Sequence, residues 1–95
     1  MAISAYQQTP AFINRTGNDG SLISFTRSGT TVGSIRSVSG DSIAIGTGDT
    51  GLRFSNSIKK IHPYDIDSGT NSDNVLDLGD SNKRFDDIYA TRSLA

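Results

Sequence analysis

Ser21-Leu22-Ile23-Ser24-Phe25-Thr26-Arg27-Ser28-Gly29-Thr30-Thr31-Val32-Gly33-Ser34-Ile35-Arg36-Ser37-Val38 holds two β-patterned stretches on either side of a Ser-Gly pair. Alternation places Ile23 and Phe25 on one face of a strand over residues 21–27. Ser28-Gly29 supplies a turn, and Thr30 to Val38 resumes the strand pattern. Val32 and Ile35 lie three residues apart, which would put them on opposite faces of a regular strand. Gly33 between them therefore predicts a bulge that restores their facing.

The same texture extends both ways. Downstream, Ser39-Gly40-Asp41 reads as a turn and Ser42 to Ile45 as a strand with Ile43 and Ile45 on one face. Gly46 to Gly51 reads as a long turn and Leu52-Arg53-Phe54 as a short strand. Asn56-Ser57 breaks that strand. Ile58-Lys59-Lys60-Ile61 follows and ends at a turn over His62-Pro63. Upstream, residues 1–10 are a polar lead-in, Ala11 to Arg15 reads as a short strand, and Asp19-Gly20 is a strong hairpin signal. Strands recurring every 8–12 residues describe an all-β module, which occupies residues 11–62. Residues 63–95 form an Asp/Ser/Asn-rich loop and a C-terminal strand region. Val75 to Gly79 is a strand there. Arg84 to Tyr89 is one helical turn or an irregular strand, because Phe85, Ile88 and Tyr89 stand at i, i+3 and i+4.

Composition agrees. Gly, Ser, Thr, Asn and Asp make up 49 of 95 residues, all ten acidic residues are Asp, and Glu is absent. Long helices draw on Glu, Ala, Leu, Lys and Gln, so a helical protein is excluded. Leu, Ile, Val and Phe number only 22, a thin core for this length, and burial against copies of the same chain would make up the deficit. A net charge of −1 offers no electrostatic footprint for nucleic acid and no basic face for a membrane. No apolar run is long enough for a transmembrane helix. The first residues lack the basic-then-apolar pattern of a signal peptide. Without cysteine there is no disulfide framework or thiolate chemistry.

Catalytic and metal motifs fail on inspection. Asp65 to Asp73 is rich in oxygen ligands, but an EF-hand count from Asp65 places Gly69, Thr70 and Leu76 at its fifth, sixth and twelfth positions. Gly46 to Gly51 lacks the Lys-Ser/Thr ending of a phosphate loop. His62, the only histidine, cannot form a metal site alone. Three copies could meet on a threefold axis, but its place beside Pro63 reads as a turn. Asp86 and Asp87 are adjacent and point in different directions on either a strand or a helix, unlike a paired glycosidase set. The expectation is a non-enzyme without metal or cofactor. Sugar binding is better served: Tyr64 with Asp65, and Tyr89 with Arg84, combine an aromatic face with hydrogen-bonding groups. Tyr64 is the better surface candidate and Tyr89 the more suited to packing. Arg15, Arg27, Arg36 and Arg53 fall within or beside strands and are expected to face solvent or to pair with Asp of another chain.

Gly20 to Ile35, Gly51-Leu52-Arg53-Phe54 leading to Ile61-His62-Pro63-Tyr64, and most clearly Asp73-Asn74-Val75-Leu76-Asp77-Leu78-Gly79-Asp80-Ser81-Asn82-Lys83-Arg84-Phe85-Asp86-Asp87-Ile88-Tyr89-Ala90-Thr91 are three stretches to read together. In that order they resemble the distal shaft of bacteriophage tail fibres and tailspikes. In such fibres the last segment commonly precedes a self-cleaving intramolecular chaperone. Here Arg92-Ser93-Leu94-Ala95 follows instead, so Ser93 receives no catalytic role. The resemblance implies an intertwined homotrimer, either a triple β-helix or sandwich-like modules side by side. It places the chain in the virion, acting outside the cell at or near the host-facing tip. The trimer core is then expected from Ile23, Phe25, Val32, Ile35, Ile43, Ile45, Leu52, Phe54, Leu78, Phe85 and Ile88. The alternatives are a receptor-glycan module of such a fibre and a non-viral β-rich adhesin.

Overall fold

The computed structural model describes residues 1–94, and among them the fold is all-β with no helix. Six strands, β1 (Ser21–Arg27), β2 (Thr30–Val38), β3 (Ser42–Thr47), β4 (Thr50–Ser55), β5 (Lys60–Asp65) and β6 (Thr70–Asn71), form one antiparallel sheet. Each strand pairs with the next in sequence, so the sheet is an open meander in which every connection is a short hairpin loop.

Turn chemistry explains the meander. Ser28 and Gly29 both have positive φ (52° and 82°) and close a two-residue loop between the paired Arg27 and Thr30, the geometry that matches strand twist. Ser39-Gly40 and Gly69 supply left-handed residues to the next loops in the same way. Between β1 and β2 the register slips from Phe25↔Gly33 to Thr26↔Thr31. Val32 is thus the extra residue of a bulge beside Gly33, and a second slip falls between Ser21 and Ile23.

Several sequence expectations are corrected. Gly46 to Gly51 is not one long turn: β3 and β4 run into it, leaving a two-residue loop at Gly48-Asp49. His62-Pro63 is not a turn but the middle of β5. Pro63 is tolerated because its carbonyl accepts from the Ser72 N–H on the β6 side (3.2 Å). The missing N–H points the same way, toward the edge rather than into the β4 ladder. Asp19-Gly20 makes no hairpin. Gly20 instead extends the pairing, its carbonyl accepting from the Ser37 N–H (3.0 Å), and Asp19 Oδ1 accepts from Gly40 N–H (3.2 Å). Ala11–Arg15, Val75–Gly79 and Arg84–Tyr89 form neither strands nor a helical turn. The sheet continues to Asn71, so a division after residue 62 would cut through β5.

Register assigns the two faces. One carries Ile23, Ile35, Ile45, Leu52 and Pro63 as direct partners across five strands, with Ile43, Phe54 and Ile61 in the adjacent row. The other carries Ser34, Gly46, Gly51, Tyr64 and Asn71 in one row and Arg36, Ala44, Arg53 and His62 in the next. The chain covers this second face itself. Its buried apolar residues are Val38, Ala44, Tyr64 and Ile66, beside buried Ser34, Ser42 and Ser55. The β5–β6 loop, held by Asp65 Oδ1 accepting from Ser68 N–H (3.0 Å), folds Ile66 down onto Gly46 and Gly51.

That contact requires glycine. A Cβ on Gly46 would collide with backbone of Thr50 and Gly51 and stand 3.0 Å from Ile66 Cγ1. Gly46→Ala is expected to destabilise by about 1–3 kcal/mol through overpacking, read from chemical denaturation. Gly29→Ala, with open space around it, should show only the smaller strain of its positive φ.

Candidate functional site

The first face is the candidate site. None of the side chains expected in a trimer core joins the chain's own buried cluster. Ile23 and Ile35 are half-buried, while Phe25, Val32, Ile43, Ile45, Leu52, Phe54, Leu78, Phe85 and Ile88 are exposed. On the sheet these residues are contiguous. Ile45 stays 46 % exposed and Phe54 43 %, although both are central β-strand residues of the type usually found inside.

The consequence can be sized. A folded monomer of 10.1 kDa exposes about 5,300 Å² by the usual scaling, and this chain exposes 8186 Å². The difference, about 2,900 Å² per chain, is surface that a compact monomer of this mass would bury. The Cα radius of gyration, 16.0 Å, also exceeds the roughly 12 Å typical of this length. The excess lies on the sheet face and on the terminal segments, where Met1, Tyr6, Phe12, Ile88 and Tyr89 are bare.

Two grooves cross the apolar face. One, about 650 Å³, is lined by Ile45, Leu52, Ile61 and Pro63, with Leu76 and Leu78 of the C-terminal segment along its side. The other, about 320 Å³, lies between Phe54 and Ile61 under Lys59 and Lys60. Ile61 is common to both.

The proposed sugar contacts fare differently. Tyr64 is not a surface aromatic: it is 2 % exposed, the largest fully buried side chain of the described residues. The Arg36 guanidinium lies 6.0 Å from its ring centroid. Asp65 beside it is committed to the loop through Ser68. Arg84 and Tyr89 are exposed and belong to the far C-terminal segment, and Tyr89 Oη donates only to Asp87 (3.4 Å). The expected Tyr64–Asp65 pair therefore offers no open stacking face. The sequence signal missed here was alternation: once Pro63 lies in a strand, Tyr64 must point to the face opposite Leu52 and Phe54.

Arg36 and Arg53 are also relocated. Both are half-buried on the packed face. Arg36 donates to the Ile66 carbonyl (3.1 Å), and Arg53 donates to Asn71 Oδ1 (3.2 Å) and Ser42 Oγ (3.4 Å). Guanidinium forks with long apolar stems take the place of large aliphatics there. His62 shares their row, half-buried, its Nδ1 3.3 Å from the Pro63 carbonyl. Among the described residues no three His or Asp side chains converge as a metal-holding group. The Asp65–Asp73 stretch is largely a hairpin. No known family model, curated protein or solved structure matches the chain.

Proposed function

We propose that the chain is a structural segment of a bacteriophage tail fibre or tailspike, a homotrimer at or near the host-facing tip that serves host attachment without catalysis. The single observation that supports it is a sheet whose apolar side faces outward while its small and polar side is packed inward. A protein working alone would bury the isoleucines and leave the serines in water. Copies that share the isoleucine face have no such conflict, and each adds to a core that one chain lacks. The likeness of Asp73–Thr91 to the segment that ends many fibre shafts supplies both the viral setting and the number three. The exposed face favours association of copies and sets no number for them.

Multi-angle light scattering of the purified chain tests this. The expected mass is three times that of one chain, holding on dilution until folding and assembly are lost together. A folded monomer persisting across the dilution series would overturn the reading.

A further inference from the structure

Two tetrapeptides of opposite charge share one apolar spacing. Ile58-Lys59-Lys60-Ile61 bridges β4 and β5, and Phe85-Asp86-Asp87-Ile88 lies in the C-terminal segment. All four apolar residues are more than half exposed, with Phe85 at 63 % and Ile88 at 79 %. Among the described residues neither charged pair is neutralised, because their one ion pair joins Lys83 and Asp80.

Local structure explains why the second tetrapeptide is left outside. Asp80 and Lys83 exchange backbone hydrogen bonds (3.0 and 3.2 Å), closing a tight turn over Ser81-Asn82. Phe85 is carried back only as far as Gly79. Beyond it, no side chain from the sheet hydrogen-bonds to residues 85–89; their side-chain bonding is Tyr89 to Asp87. Meanwhile Lys59, Lys60 and Ile61 of the Ile58–Ile61 corner line the smaller groove together with Phe54.

We infer that residues 85–89 of one copy dock on the Ile58–Ile61 corner of a second copy. Phe85 and Ile88 enter the two grooves that flank Ile61, while Asp86 and Asp87 meet Lys59 and Lys60. The inference rests on the assembly reading and deepens it by naming which parts of two copies touch. The apolar–charge–charge–apolar pattern is the same read in either direction, so the charges match whichever way the segment lies. A second copy is the occupant because the chain's own fold leaves both halves bare, and because the surface in excess of a monomer includes the terminal segments as well as the sheet. Burial of the apolar pair supplies affinity, and the charges set register and exclude wrong pairings.

The chain has no cysteine, so a designed cross-link reads the contact directly. Ile61→Cys chains and Ile88→Cys chains, each produced with a different tag, are co-expressed and oxidised. A heterodimeric disulfide band carrying both tags is expected, and Thr26→Cys paired with Ile88→Cys should give none. Independently, Lys59→Asp/Lys60→Asp is expected to raise the dissociation concentration about tenfold, the scale of two partly exposed ion pairs lost. Adding Asp86→Lys/Asp87→Lys to the same chain should restore it. A trimer by light scattering without the cross-link, or without charge-swap rescue, overturns the docking and leaves the assembly standing. A folded monomer overturns both.

Discussion

Ile45→Asp is expected to yield a chain that neither assembles nor keeps its sheet. Ile45 is the midpoint of the five-strand apolar row, with Ile35 on one side and Leu52 on the other. In one chain it is nearly half exposed. If the fold stood alone, a carboxylate there would keep much of its hydration and would cost about 1 kcal/mol of strand preference and lost contact. The sheet would survive. If the face lies between copies, each copy brings an uncompensated charge into a water-free contact, and the penalty is several kcal/mol per ion. Association is then lost, and with Val38, Ala44, Tyr64 and Ile66 as the only buried apolar residues among those described, the separated chain cannot offset its ordering entropy. Sedimentation velocity and circular dichroism check this together. The expected result is a slow, expanded species without β signal, while Thr26→Asp, on the exposed β1–β2 hairpin, stays assembled. An Ile45→Asp protein that keeps its mass and spectrum would remove the apolar face from the interface.

The sheet itself was legible because its signals are local. Ser28-Gly29 and Ser39-Gly40 name their own turns, and the alternation in Ser21–Arg27 and Ser42–Ile45 names residues that share a face. Alternation says nothing about which face the same chain will cover. Here the answer inverts the usual one, because the shielding comes from a loop: Ile66, in a stretch read as an Asp/Ser/Asn-rich loop, drops onto two glycines that leave it room. Pro63 misled in another way, since proline marks turns more often than strands, and only the β6 edge position of its missing N–H makes it acceptable. The same error moved Tyr64 from core to surface. At the C-terminus, Val75–Gly79 and Phe85–Tyr89 have strand-like or helical spacing but no partner within the chain. Spacing without a neighbour to pack against does not produce an element.

Tyr64→Ala is expected to lower the melting temperature by about 12–40 °C at fixed protein concentration, since a loss of 1 kcal/mol moves a domain of this size by roughly 4–8 °C. The ring is enclosed on the packed face, with Gly51 and Asn71 as its cross-strand partners and the Arg36 guanidinium above it. Truncating a buried aromatic costs about 3–5 kcal/mol through lost transfer energy and an unfilled cavity. Total stability at this length is on the order of 5–14 kcal/mol, so about a fifth or more goes with one side chain. Collapse cannot recover much, because the cross-strand partner Gly51 has no side chain to fill the space and Ile66 is already pinned against Gly46 and Gly51. Tyr64→Phe, which keeps the ring and its place under Arg36, should melt within a few degrees of the parent. A sugar-stacking tyrosine would behave in the opposite way, with Tyr64→Ala leaving the melting curve unmoved and abolishing only ligand binding. An unchanged melting temperature for Tyr64→Ala would therefore return Tyr64 to the surface, and with it the packed face on which the outward placement of the isoleucines depends.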